Sequence, residues 1–481
     1  MKSGKKIAAN EIYALAFGLF LGLCILKFSD PVILDQKIAP PASLSKYWSD
    51  PWPTHWANWF LVPLAAIGAI LIAATPVSWR PRCPRWLLLL PLLWFVWQIL
   101  SAGQTVDAVL TASTLWQYFG CVACYYLGAF LFGSPRALNF LLAGVSAAFV
   151  ICLIHAVDQH IEFPRDAKLL LDGQRNGWTN FPPAAVVEME RDQTLIITNG
   201  LDVPNPAILA KFTKGRVMGT MVYPNALAGI ILLLFPVSFV LAVKGAKTLR
   251  PTVGLLAIGV TGALATVSFF WSGSKFGWLI AMLLIGLCLF RFHWPLKWKI
   301  SALVIAAVLG LGIFALRFHN YFENGATSAT ARFDYWHAAV QTTLSHPLFG
   351  TGPGTFQRPY AQLKSPGAEM ARLAHNDYLE QFSDSGLLGG IFYCAWIVAA
   401  LIFISQRLWK SQNYAAFALF LGLLGWFIQG LGEFSLFIPA LAWTAFAFLG
   451  CALTLNNTRQ NPPAPSQNPF DKKPATAKIQ R

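Results

Sequence analysis

Charged side chains are scarce in this sequence, and acidic ones scarcer still. Asp, Glu, Lys and Arg make up 12% of its 481 residues, with 21 acids against 36 bases. Soluble domains carry about 25% charged residues, so an ordinary water-facing surface is excluded for most of the chain. Cysteine offers no framework either. Cys24, Cys121, Cys124, Cys152, Cys288, Cys394 and Cys451 fall in apolar runs, and Cys83 sits in a basic loop. With none in a long loop, no disulfide scaffold is implied, and the Cys121/Cys124 pair reads as two small packing residues. A cleavable leader is not expected either. The basic Met1–Lys6 segment precedes an apolar run, but no clean small-residue site follows it, so the run reads as an uncleaved first helix. No repeat of 20 to 50 residues is visible.

What the chain does have is apolar length: 56% hydrophobic residues, with 19 Trp and 37 Phe. Twelve apolar runs stand out, near 12–28, 57–75, 86–101, 114–133, 137–156, 222–243, 252–271, 276–290, 299–316, 386–405, 414–432 and 435–455. A spanning helix needs about 20 apolar residues. The expected fold is therefore an all-α polytopic membrane protein with about 12 transmembrane helices. It would form a single transmembrane domain over 1–455, followed by a Pro-rich, disordered tail at 456–481.

The net charge of +15 would suggest nucleic acid in a soluble protein. Here the bases lie in short patches between apolar runs, and orientation explains them better. With the N-terminus cytoplasmic and every run spanning, each short inside link is basic. The inside segments then hold 20 of the 36 bases but only Glu11 and Asp471 among the acids. Both termini are cytoplasmic in this reading, and two long loops, 157–221 and 317–385, face outward. The first, with Pro164, Pro182, Pro183, Pro204 and Pro206, is expected to be a mostly irregular folded lid. The second, between helices 9 and 10, is expected to be partly helical. Its 330–345 stretch sets Phe333, Trp336, Val340 and Leu344 on one helical face before His346-Pro347 ends it. Its 368–385 stretch sets Ala371, His375, Leu379 and Phe382 on another, with Gly386 as the stop.

The spanning runs are almost free of ionisable groups, and acids reach the membrane only at its outer edge, as at Glu433. Proton-coupled carriers keep such groups at mid-depth, so their scarcity counts against that class. The outer side offers cations instead: Lys211, Lys214 and Arg216 before the sixth run, Lys275 in a Ser-Gly turn, and Arg332 in the second loop. Cations at headgroup depth suit a phosphate or diphosphate. Lysines there equally serve as headgroup anchors. Gly350, Gly352 and Gly354 imitate a phosphate loop, but no strand precedes them, and they read as a flexible turn feeding the site. Asp377, Glu380 and Asp384 spread around a helix and read as solvated carboxylates rather than a metal cluster or hydrolytic pair.

Four segments together resemble the O-antigen ligase family. Gly215-Arg-Val-Met-Gly-Thr-Met-Val-Tyr-Pro-Asn225-Ala-Leu-Ala is similar to that family's Arg-x-x-Gly…Asn-x-x-Ala entry into a membrane helix. Ser272-Gly-Ser-Lys-Phe-Gly277 resembles its Ser-x-Ser-Arg-x-Gly turn, with Lys275 in place of the usual Arg. Arg332…Trp336…His346-Pro-Leu-Phe-Gly-Thr-Gly352 resembles its large outer loop. His375-Asn376, nine residues, then Gly386-Leu-Leu-Gly389 matches its His-Asn-(nine)-Gly-x-x-Gly signature without a gap. The resemblance covers about 211–405.

It implies a GT-C-like glycosyltransferase of the bacterial inner membrane that uses neither metal nor cofactor. Such an enzyme moves a glycan from an undecaprenyl-diphosphate carrier to a hydroxyl on the periplasmic face. The acceptor would be a lipid A core, a growing polysaccharide or a protein. Arg216 and Lys275 would hold the diphosphate, with Lys211, Lys214 and Asn376 beside them. Arg332 would support the loop or the leaving group, and His375 would activate the acceptor hydroxyl. The residue types fit this chemistry. A lipid diphosphate is already a good leaving group, so charge stabilisation and one base suffice, and an imidazole titrates near pH ~6.5 in model peptides. A transporter or flippase of polyprenyl-linked glycans or small anions, or a scaffold in an envelope complex, would share the topology but need no base.

Overall fold

A computed structural model describes residues 8–74, 83–198, 200–247, 250–291, 294–323, 327–409 and 413–455. The expected tail, 456–481, lies outside the described residues. In order along the chain, α1 (Ala9–Lys27), α2 (Leu44–Ser49), α3 (Trp56–Ala73), α4 (Arg85–Ser101), α5 (Ala108–Leu131) and α6 (Pro135–Arg175) come first. Then follow α7 (Pro183–Arg191), a hairpin of β1 (Leu195–Thr198) and β2 (Leu201–Pro204), and α8 (Pro206–Lys214). The second half holds α9 (Pro224–Ala246), α10 (Pro251–Ser272), α11 (Lys275–Arg291), α12 (Leu296–Glu323), α13 (Thr327–Ser345), α14 (Gln357–Leu363), α15 (Asp377–Leu408), α16 (Tyr414–Gln429) and α17 (Pro439–Thr454).

Each of the twelve apolar runs falls on one of these helices. Among the described residues, eight helices are long and apolar enough to cross a bilayer: α1, α3, α4, α6, α9, α10, α12 and α15. Two shorter apolar helices, α16 and α17, accompany them. The chain is a mostly helical, multi-pass membrane protein.

Lipid gives little drive to bury one apolar helix against another, so close backbone approach by small residues does much of the packing. α1 lies on α6, α5 on α17, and α9 on α16. A Cβ added at Gly18 would stand 2.3 Å from the Leu141 carbonyl oxygen. At Gly128 it would stand 2.1 Å from that of Ala447, and at Gly422 2.1 Å from that of Leu233. α17 is buried along its whole length and forms the centre, while α12 shows almost all of its length to the surroundings. A polar cluster ties α4 and α5 to α15: Trp94 Nε1 and Gln98 Nε2 donate to Gln381 Oε1, and Gln381 Nε2 donates to the Tyr118 hydroxyl.

The two ends of the bundle are distinct. Arg136 meets Glu11 at the start of α1, and Arg291 and Arg407 donate to the carbonyls of Leu408, Trp409 and Leu453. At the other end of α1, Lys27 donates to the Trp48 and Asp50 carbonyls, the Ser29 hydroxyl donates to the Thr220 carbonyl, and the Thr220 hydroxyl donates to the Ile25 carbonyl.

Several expectations are corrected. Segment 157–221 is not an irregular lid. α6 runs unbroken to Arg175 with Pro164 inside it, and Pro183 and Pro206 sit in the first turns of α7 and α8. Proline lacks only a donor that the first helical turn leaves free anyway, so there it starts helices rather than preventing them. The helix at 330–345 exists as α13, but its packed face is different. Tyr335, Ala338, Ala339 and Thr342 are buried, whereas Phe333, Val340 and Leu344 are exposed. The buried face is the one that packs on α14 and α15, so these partners rather than the apolar spacing set it. Residues 368–376 are not helical. α15 begins at Asp377, capped by the Asn376 side chain on the amides of Tyr378 and Leu379. The expected stop at Gly386 is present as a break: the helical backbone is interrupted there, at φ +70° and ψ −172°, and resumes beyond a kink, with the Leu348 carbonyl oxygen only 2.3 Å from where a Cβ would stand.

Candidate active site at one end of the bundle

The 430–438 link between α16 and α17 is stitched to the start of α15. Asp377 donates its amide to the Gly430 carbonyl, and its carboxylate accepts from the Leu436 amide. This stitching carries Glu433 and Phe434 to His375. Glu433 is 1% exposed, yet four side chains converge on it. Arg332 Nη2 and Asn225 Nδ2 each donate to its Oε1 at 2.7 Å, and the Tyr223 hydroxyl donates to Oε2 at 3.2 Å. His375 Nδ1 lies 3.5 Å from Oε2, at ion-pair distance but without a formed hydrogen bond.

Each partner reaches the carboxylate through its own local structure. Tyr223 is the N-cap of α9, and Asn225 lies in its first turn. Arg332 and Tyr335 are three residues apart on α13 and so share a face. His375 has φ +50°, a left-handed conformation costly for a residue with a Cβ. That turn sets its ring against Tyr335, stacked at 5.8 Å, and edge-on to Phe434 at 4.7 Å. With Nδ1 buried and turned toward Glu433, Nε2 occupies the far edge of a ring whose side chain is 28% exposed.

Arg216 extends the network through Asn225, whose Oδ1 accepts from Nη2 at 2.8 Å. Its Nε donates to the Ser272 carbonyl, also at 2.8 Å. Gly273, at φ +59°, ends α10 beneath it, and a Cβ there would meet Arg216 Nε at 3.2 Å. Gln159 on α6 braces the segment by accepting from the Met218 and Gly219 amides. Burial pushes the Arg216 guanidinium below its ordinary pKa. Glu433 opposes that shift, while Arg332 and Arg317 reinforce it. Lys275 lies 3.9 Å from the Tyr321 ring centroid and 5.2 Å from that of Phe318, with Arg216, Arg332 and Arg317 as charged neighbours.

Of the expected site residues, the structure thus gathers Arg216, Lys275, Arg332 and His375. It does not bring Lys211 and Lys214 to them. Both sit on α8, Lys211 over the Phe163 ring at 5.9 Å, and neither is a charged neighbour of Arg216. Asn376 is adjacent but spends its Oδ1 on the helix cap.

The carboxylates expected to be solvated are corrected: Asp377, Glu380 and Asp384 are all buried. They hold backbone in place. Glu380 Oε2 accepts from the Ala374 amide next to His375, and Asp384 Oδ2 accepts from the Gly354 amide. Gly350, Gly352 and Gly354 are accordingly not a flexible turn. They are buried and clasped to α15, with the Gly352 amide donating to the Asp384 carbonyl. Glu433 was visible in the sequence only as an acid at the membrane edge. Its isolation among apolar residues was the available signal, since a buried carboxylate needs partners.

Comparison with known proteins finds one family match and one relative. Residues 260–394 match the family model described as O-antigen ligase. The match runs from within α10 into α15, so it takes in Lys275, Arg332, His375 and Asn376 and leaves out Arg216 and Glu433. An uncharacterized protein of Haemophilus influenzae is 28% identical over 171 residues, covering 30% of this chain and 42% of that relative. The match thus spans under half of the relative's length. The resemblance to the O-antigen ligase family is thus supported over residues 260–394 of the chain.

Proposed function

We propose that this chain is a membrane glycosyltransferase of the O-antigen ligase type. It transfers a glycan from an undecaprenyl-diphosphate carrier to an acceptor hydroxyl on the periplasmic face of the bacterial inner membrane. The observation that carries the reading is Glu433, which joins the imidazole of His375 to the guanidinium of Arg332 and, through Asn225, to that of Arg216.

His375 Nε2 takes the proton of the acceptor hydroxyl as that oxygen bonds to the anomeric carbon. The anomeric carbon–oxygen bond to the diphosphate breaks, and its electron pair stays on the phosphate oxygen. Glu433 behind Nδ1 favours the tautomer with hydrogen on Nδ1, leaving Nε2 as the base, a role in which unliganded contacts are commonly long. Arg216 and Lys275 meet the charge that grows on the leaving diphosphate. Position 275 keeps the charge of the usual Arg but not its fork, so Lys275 acts there as a point charge. The reading includes a GT-C-like arrangement with both termini cytoplasmic, and assigns no step to a metal or a nucleotide.

The acceptor is a lipid A core, a growing polysaccharide or an exported protein, and the outer elements α6 to α8 and α13 to α14 would select it. The test is to incubate the full-length protein in nanodiscs with an undecaprenyl-diphosphate glycan and each acceptor class. The expected result is an acceptor–glycan product with one equivalent of released undecaprenyl diphosphate. Movement of labelled lipid across the bilayer with no acceptor-dependent product would instead mark a carrier and end this reading.

A further inference from the structure

Four cations share this end of the bundle, and they are unequally compensated. Arg332 is neutralised by Glu433. Arg216 is held by a carbonyl and an amide oxygen, which are neutral. Lys275 and Arg317 have no carboxylate partner among the described residues. They rest instead on a common aromatic ring: Phe318 lies 5.2 Å from Lys275 Nζ and 5.7 Å from the Arg317 guanidinium, which also lies 5.2 Å from Phe270. Phe318 is itself buried, and it is where α12 departs from helical geometry, at φ −112° and ψ 15°. Just beyond it the Tyr321 ring centroid lies 3.9 Å from Lys275 Nζ, while the rest of that helix packs on α11 and is otherwise little covered. Two like charges on one ring is an unfavourable arrangement unless an anion joins them.

We propose that Arg317 is a further donor-binding residue, contacting the diphosphate of the lipid-linked substrate together with Lys275. The inference rests on the reading given under Proposed function. Charge supplies the argument. A diphosphate linking a sugar to a lipid carries two negative charges. Cleavage of the anomeric carbon–oxygen bond leaves the electron pair on phosphate and adds a third. Arg216, Lys275 and Arg317 supply three positive charges with no carboxylate of their own, so the set matches the leaving group better than the ground state. Arg317 is exposed and free to change rotamer. Its hold on two rings is weak beside a charge-assisted bond to phosphate.

A phospholipid headgroup offers the same phosphate chemistry, so the test must separate the two. Wild type, Arg317→Ala, Arg317→Lys and Arg216→Ala are compared as full-length protein in zwitterionic and in anionic nanodiscs, with melting temperature as the folding control. The readouts are the transfer rate from the undecaprenyl-diphosphate glycan and its inhibition by inorganic pyrophosphate. Arg317→Ala is expected to lower kcat/KM about tenfold or more and to weaken pyrophosphate inhibition by a similar factor, with Arg317→Lys recovering part of both.

If Arg317→Ala keeps both readouts while Arg216→Ala loses both, Arg317 is not a diphosphate contact and the site reading stands. If the Arg317→Ala defect appears only with anionic phospholipid and pyrophosphate inhibition is unchanged, Arg317 is a headgroup anchor and the inference is overturned. If neither variant alters pyrophosphate inhibition, the reading of the site itself fails.

Discussion

Glu433→Gln is the substitution that strains the site most with the least change of shape. The carboxylate faces donors on both oxygens: Arg332 and Asn225 on Oε1, Tyr223 on Oε2, with His375 Nδ1 beside Oε2. An amide placed with its nitrogen at Oε1 would confront two donors, so it would turn that nitrogen toward Tyr223 and His375. Two consequences follow. The Arg332 guanidinium loses its counter-charge while half-buried. Removing one partner of a buried pair costs about 3–5 kcal/mol, and the retained amide oxygen keeps the loss near the lower end. His375 Nδ1 then meets a donor and must accept, which puts the ring hydrogen on Nε2 and removes the base. A positioned base contributes about 10²–10⁴-fold, so transfer should fall at least about 100-fold. Protein in nanodiscs, assayed for transfer and for melting, tests both halves. Glu433→Asp, which keeps the charge but shortens the reach, should lie between. A Glu433→Gln protein that melts and transfers like wild type would refute the reasoning, because neither the ion pair nor the tautomer would then depend on the carboxylate.

The other expectations can be checked with the same material. Gly386→Ala puts a Cβ against the Leu348 carbonyl in a backbone region that only glycine occupies readily. It should cost about 3 kcal/mol or more, read as lost expression or a sharply lowered melting temperature, and a normally stable variant would contradict the bend. Gly273→Ala forces a left-handed residue under Arg216. A cost of about 1–2 kcal/mol should come with a raised KM for the lipid donor, and an unchanged KM would detach Arg216 from donor binding. A reporter fused within 317–385 should read as exported and one within 406–413 as cytoplasmic. Reversed signals would put His375 beside cytoplasmic nucleotide sugars and remove the case for a lipid-linked donor.

The helices were legible in the sequence because lipid demands long apolar runs, and every run marked there lies on a helix. The gathering of Arg216, Lys275, Arg332 and His375 was legible through motif resemblance, since each motif sits where a helix begins or ends. The sequence said less about segments outside the runs. Prolines in 157–221 point in sequence to irregular structure, although Pro183 and Pro206 open helices. Helical periodicity around His375 was an accident of composition, because Asn376 is a cap and His375 precedes the helix. Glu433 escaped for a different reason. Its role comes from the fold joining the 430–438 link to α15, with Asp377 and Leu436 bonded across 59 residues, which no local pattern records. The burial of Asp377, Glu380 and Asp384 has no local signal either, since their partners are backbone amides outside α15.

The account stands most directly on one rate: transfer of glycan from purified undecaprenyl-diphosphate donor to its acceptor by His375→Ala protein that melts like wild type. The account predicts a loss of about 100-fold or more with donor binding retained. Transfer at the wild-type rate would contradict it, because the imidazole held by Glu433 would then have no part in the chemistry.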